Sequence, residues 1–175
     1  LSLYTPTELQ SLGWPVPLVA RPAVQILRDR GIEWEQAKMA DLEGAFGSAI
    51  QANKRNSKFR EIELLGVLQQ NPPSPTFVLQ PSFSDPNLKP TFLTNLGLST
   101  SAITQIPSFG TFRPDIISIQ TRADDEIEVM PSGATQAVAQ GDQRKALLIF
   151  DIKHAGSANS SYSSEVALYA VLLAN

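Results

Sequence analysis

The chain has 175 residues, 42% of them hydrophobic and 18% charged, which fits one globular domain with room for a real core. Zero cysteines exclude disulfides, thiolate zinc sites and cysteine-ligated iron–sulfur clusters, and a single histidine argues against a histidine-based triad or zinc site. The formal net charge is −3, so any nucleic-acid contact must use a local basic patch.

No apolar run approaches the ~18–20 residues that cross a bilayer, and no basic stretch followed by an apolar core opens the chain. A cytoplasmic protein with no membrane partner is the expectation.

Residues 1–19 contain Pro6, Pro15 and Pro17 and read as an irregular lead-in, with a short helix around 7–12. A stronger helical pattern starts at Pro22, which suits a first helical position. Leu27, Gly31, Glu35, Met39 or Leu42, and Phe46 fall on one stripe at spacings of three and four. Gly31 costs ~1 kcal/mol relative to alanine, but its small size would admit a close neighbour. Glu35 sits on the apolar stripe, whereas Glu33, about 200° away, faces solvent. A carboxylate on a buried face needs a partner: either a lysine or arginine at the helix rim, or a cation.

Residues 53–60, NKRNSKFR, hold Lys54, Arg55, Lys58 and Arg60. They read either as a solvated helix end or as a phosphate-contacting patch. Residues 59–70 look like a further amphipathic helix, closed by Asn71-Pro72-Pro73-Ser74-Pro75. Residues 76–80 form a short strand, and 82–101, rich in Pro, Asn, Ser and Thr, show no firm pattern.

Residues 103–120 read as strand, turn and strand, with Pro107–Gly110 at the turn. The second strand, 115–120, carries Asp115, Ile117 and Ile119 on one face, so a carboxylate continues an inward-pointing apolar row. Pro114 fits ahead of it, where a missing donor does little harm. An acidic turn at 123–126 leads into a strand at 127–130, and 131–143 is a polar loop without evident chemistry.

The apolar run 146–150 reads as a buried strand. It ends on Asp151 and Lys153, whose side chains point the same way while Phe150 and Ile152 point the other. After a Gly/Ser/Asn turn, a helix over 163–174 places Glu165 and Tyr169 one turn apart on one face. That helix is apolar on most of its surface and calls for covering elements, so the chain reads as part of something longer. No internal repeat or dividing linker is visible; 1–175 reads as one domain.

Three acids therefore stand out: Glu35 on a helix, Asp115 opening a strand and Asp151 closing another. With Lys153 they match the needs of phosphodiester hydrolysis. Mg²⁺ or Mn²⁺ takes one or two carboxylates and completes its shell with water and phosphate, and a neighbouring lysine can orient the attacking water. Other residues have blander readings. His154 follows the lysine and suits loop or packing duty, with phosphate contact the alternative. Trp14 and Trp34 read as core, although an exposed Trp14 would stack on a base. Arg113 either pairs with a carboxylate or grips a phosphate. Tyr162 reads as packing.

Pro114-Asp115, followed some 35 residues on by Asp151-Ile152-Lys153, resembles the PD-(D/E)XK signature of a large nuclease superfamily. Glu165-Val166-Ala167-Leu168-Tyr169 is similar to the QxxxY helix of its RecB-like branch, with Glu in place of Gln. Gly31-Ile32-Glu33-Trp34-Glu35 is similar to that branch's first motif, a glycine with His or Glu four residues later.

The resemblance implies an α/β fold, a central mixed β-sheet flanked by helices with a restriction-endonuclease-like core. It implies metal ligands Glu35, Asp115, Asp151 and the backbone carbonyl of Ile152, and Lys153 as the water-positioning residue. Glu165 and Tyr169 would border the substrate strand, with Arg113 a further substrate contact. The activity implied is that of an Mg²⁺- or Mn²⁺-dependent DNA nuclease in DNA repair or in defence against foreign DNA, without an iron–sulfur cluster. A helicase or other motor would have to come from another subunit or segment, since no phosphate-binding glycine loop is present. Glu165 adds negative charge near the phosphate path. The reading from another class is a catalytically silent nucleic-acid-binding or scaffold module of the same fold.

Overall fold

A computed structural model of the chain describes residues 11, 13, 22–123, 126–152 and 160–175. Lys153, His154, Trp14, most of the lead-in with its expected short helix, and two residues of the acidic turn lie outside them.

Pro22 opens helix α1 (Pro22–Phe46) as expected. The helix buries only part of its stripe. Met39 is fully buried and Leu42 packs beside it, whereas Leu27 is 69% exposed. The close neighbour expected at Gly31 is missing: among the described residues, nothing lies within 4 Å of where a side chain would sit. Glu35 lies at the boundary between the exposed and the buried stretch, half-buried.

A one-turn 3-10 helix (Gly47–Ala49) leads to strand β1 (Ile50–Gln51) and then to a hairpin, β2 (Asn53–Arg55) with β3 (Lys58–Arg60). The basic segment is thus not a helix end. Asn56 and Ser57 both take left-handed conformations, φ 52° and 60°, the geometry that reverses a chain in a two-residue hairpin. The amphipathic helix expected over 59–70 shrinks accordingly. It is preceded by strand β4 (Ile62–Glu63) and survives only as α2 (Leu64–Gln69). Glu63 starts that helix at Leu64, its carboxylate accepting from the Leu65 and Gly66 N–H groups at 3.1 and 2.6 Å.

The sheet is mixed. Strand β1 runs parallel to β5 (Thr76–Leu79); β5 runs antiparallel to β7 (Ile116–Thr121), and β7 antiparallel to β10 (Lys145–Phe150). Val78, Ile117, Ile119 and Ile149 share one face, packed on α2 and on the last helix, α5 (Ser160–Ala174). Leu79 and Ile116 share the other face with Met39 of α1 and Phe59 of β3. Removing a fully buried side chain such as Met39 or Ile117 costs ~2–5 kcal/mol, because the site collapses only partly. Strand β10 is not the buried strand expected. Among the described residues it is a sheet edge, and Leu148 and Phe150 are 37% and 46% exposed on the face that α1 packs against.

Between β5 and β7 lie strand β6 (Pro81–Ser82), parallel to β4, and helices α3 (Leu88–Asn95) and α4 (Thr100–Gln105). The strand expected from Ile103 is therefore helix; Ser99 caps it, its side chain accepting from Ala102 N–H at 3.4 Å. The polar loop over 131–143 contains strand β9 (Thr135–Ala137), paired with β8 (Ile127–Val129). Arg122 braces that hairpin, bonding Glu128 and Asp142 at 2.9 Å each. Among the described residues no helix is long and apolar enough to cross a membrane.

Candidate active site

The site forms where three strands end together. In β7 and β10 the register Ile116↔Phe150 carries on by one residue, which sets Asp115 opposite Asp151. Their carboxyl groups are hydrogen-bonded to each other, and the Ile152 N–H donates to Asp115 Oδ2 at 2.6 Å. Two carboxyls in contact cannot both ionise cheaply. Asp115 is accordingly pushed up to about 8, by burial first, then by its bond to Asp151, with Glu35 adding like-charge repulsion.

Gln80 follows directly on strand β5, and this residue ties the site together. Its φ is 50°, a conformation rare outside glycine. The turn lets Gln80 N–H donate to the Asp115 carbonyl at 2.8 Å while its own carbonyl accepts from Ile62 N–H at 3.1 Å. The side-chain amide then donates to Glu35 Oε1 at 2.8 Å. Glu35, read from sequence as needing a partner on a half-buried face, finds a neutral one. Gln80 was not singled out from sequence. Its only signal is a polar residue closing the apolar run Thr76–Leu79 ahead of Pro81.

Helix α5 brings Tyr169 and Glu165 to the same end of the sheet. The buried Tyr169 hydroxyl lies 3.4 Å from both Glu165 Oε1 and the Arg113 carbonyl. Its pKa is raised, by burial first and then by the charges of Glu165, Asp115 and Asp151. Aromatic neighbours Phe83 and Phe112 fix the ring, with centroids 6.5 and 6.4 Å away. Of the two readings of Arg113, the pairing with a carboxylate is seen: its guanidinium meets Glu61 at 2.9 Å.

A cleft of about 320 Å³ opens in front, lined by Glu35, Gln80 and Asp115, with Arg60, Glu61 and Arg113 around it. Asp151 does not line it. A larger cleft, about 760 Å³, lies between β8, β10 and α5. Two of its cations are answered by carboxylates, Arg122 and Arg144 each pairing with Glu128 and Asp142.

The arrangement thus joins Glu35, Asp115, Asp151, Glu165 and Tyr169 from α1, the ends of β7 and β10, and α5. For Ile152 it is the N–H, not the carbonyl, that meets a site carboxylate. Among the described residues, no group of three or more acids and histidines is arranged to hold a metal ion. The contact pair Asp115–Asp151 still supplies hard oxygen donors of the kind and number that Mg²⁺ or Mn²⁺ takes from a protein. No protein-family model matches the chain, and no curated protein or solved structure matches it either.

Proposed function

We propose that the chain is a divalent-metal-dependent deoxyribonuclease that hydrolyses phosphodiester bonds, built on a restriction-endonuclease-like core of the RecB-like PD-(D/E)XK type. The observation that carries this reading is the hydrogen-bonded pair Asp115–Asp151 with Glu35 close enough to repel it. Acids gathered from distant parts of a chain raise each other's cost unless a cation balances them.

Bound there, Mg²⁺ or Mn²⁺ supplies a water of lowered pKa and offsets charge building on the phosphate. The remaining work falls to the chain. Asp115, oriented by the Ile152 N–H, and Asp151 present their oxygens together, and Gln80 holds Glu35 toward them. Lys153, two residues beyond Asp151, is assigned to hold the attacking water, and the Ile152 carbonyl to serve as a further donor. Tyr169 and Glu165 border the strand being cut. The substrate is DNA, in repair or in defence against foreign DNA, with a helicase or other motor subunit as the protein partner that fits.

Circular and end-labelled linear DNA incubated with Mg²⁺ or Mn²⁺ tests the reading. The expected result is metal-dependent cleavage, reduced at least ~100-fold in Asp115→Asn, Asp151→Asn and Lys153→Ala. Binding without cleavage by the parent chain would instead favour a silent nucleic-acid-binding module.

A further inference from the structure

The hairpin β2–β3 has two unlike faces. Its register pairs Asn53 with Arg60, Lys54 with Phe59 and Arg55 with Lys58, and cross-strand partners share a face while successive residues alternate. The Lys54–Phe59 face is turned to α1. Phe59 is buried, its N–H donates to Gln36 Oε1 at 2.7 Å, and Lys54 pairs with Glu43 while lying 4.5 Å from the Phe59 ring centre.

The other face therefore carries Asn53, Arg55, Lys58 and Arg60, all exposed. Among the described residues, no carboxylate pairs with these three cations, although the chain as a whole is acidic. Arg55 and Lys58 stand directly opposite each other, a like-charge pairing that destabilises a hairpin unless an anion lies between them. Asn53, Arg55, Asn56 and Arg60 line a cleft of about 550 Å³, and Arg60 also lines the acidic cleft containing Glu35 and Asp115. The basic face and the acidic cleft therefore adjoin at one residue.

We propose that this hairpin face is a phosphate-backbone binding surface, on which a DNA strand lies across Arg55 and Lys58 and passes Arg60 into the acidic cleft. Naming that cleft as the strand's destination rests on the nuclease reading; binding to the hairpin is measurable without any cleavage. The face carries three cations on one hairpin and nothing apolar, which suits a regularly charged backbone rather than a folded protein surface.

Anisotropy titrations of a short labelled oligonucleotide in EDTA, at several salt concentrations, test it. The triple variant Arg55→Gln/Lys58→Gln/Arg60→Gln is expected to bind at least ~10-fold more weakly and to lower the slope of log K against log salt by ~2–3, at about 0.7–0.9 per lost contact. Lys54→Gln, on the opposite face, should leave the slope unchanged, and the charge-preserving pair Arg55→Lys/Lys58→Arg should keep it. All these side chains are exposed, and melting temperatures no lower than the parent's would show that the fold is intact. A triple variant with parental affinity and slope would overturn the proposal, as would a parent that binds no oligonucleotide. Displacement of the DNA by polyglutamate of equal charge would also overturn it, reassigning the face to an acidic protein. If the triple variant loses binding while the parent cuts nothing with Mg²⁺, the hairpin assignment stands and the nuclease reading falls. If the parent cuts and the triple variant binds equally well, the reverse holds.

Discussion

Asp115 and Asp151 face each other across the open ends of β7 and β10, one residue past the Ile116–Phe150 pair, with their carboxyl groups in hydrogen-bond contact. Because antiparallel register is a ladder, shifting either strand by one residue would send one of the acids to the opposite face. The apolar ladder of Ile117, Ile119, Leu147 and Ile149 therefore sets the acid pair as firmly as it sets the core.

Replacing either acid by its amide should separate chemistry from folding. Asp115→Asn keeps an oxygen that can accept from Ile152 N–H and removes the like-charge conflict. We expect cleavage to fall at least ~100-fold, the scale of losing a group central to charge stabilisation, with the melting temperature unchanged or raised. Cleavage assays beside thermal melts check this, and a variant that melts far below the parent would show that the carboxyl is structural.

The pH dependence of stability follows from the raised value of Asp115, about 8 against an ordinary 3.8. The folded protein holds this proton more tightly than the unfolded chain does. The contribution to stability is thus complete below about pH 4 and is lost progressively as pH rises to about 8. Water access holds the loss to about 2 kcal/mol. Urea unfolding in EDTA at about pH 5 and about pH 9 should show the parent weakening, with Asp115→Asn losing much less over the same interval. A parent that strengthens across that range contradicts the raised value of Asp115.

Metal binding should read out without any substrate. An ion seated on Asp115 and Asp151 displaces the proton that Asp115 holds near neutral pH, so Mn²⁺ binding there should release about one proton. Calorimetry in two buffers of different ionisation enthalpy measures that release directly. At a hundredfold excess over Kd the ion should stabilise the fold by about 2.7 kcal/mol, and Asp115→Asn/Asp151→Asn should abolish the gain. Equal stabilisation of the double variant would place the ion elsewhere.

Gln80 tests how Glu35 is held. Gln80→Gly relieves a left-handed backbone at φ 50° but removes the donor to Glu35, whereas Gln80→Ala removes the donor and keeps the strain. The glycine variant should be the more stable of the two by ~1 kcal/mol, while both lose activity by a similar factor. Chemical denaturation and cleavage rates on the two variants distinguish backbone from side-chain effects. A glycine variant less stable than the alanine one would remove the strain argument.

What could be read from residue order was local and periodic. Strands β5, β7 and β10 announced themselves as short apolar runs, helix α5 by its Glu165–Tyr169 spacing, and α1 by its proline start, because each signal lies within one element. The acids too could be picked out, since a carboxylate continuing an apolar row is conspicuous without knowing what faces it. Turn chemistry was read less well: Asn56-Ser57 made a hairpin from a stretch that resembled a helix end, and Ser99 started a helix where a strand was expected. The rest depended on contacts between distant segments. That β10 is an edge among the described residues, that Gln80 just past β5 reaches Glu35 of α1, and that Arg113 answers Glu61 follow from strand order and register, which arise from the packing of whole faces and leave no mark in any one segment. Sequence could name the acids; only the folded sheet decided that Asp115 and Asp151 touch, because a contact across 36 positions is a property of the ladder between them.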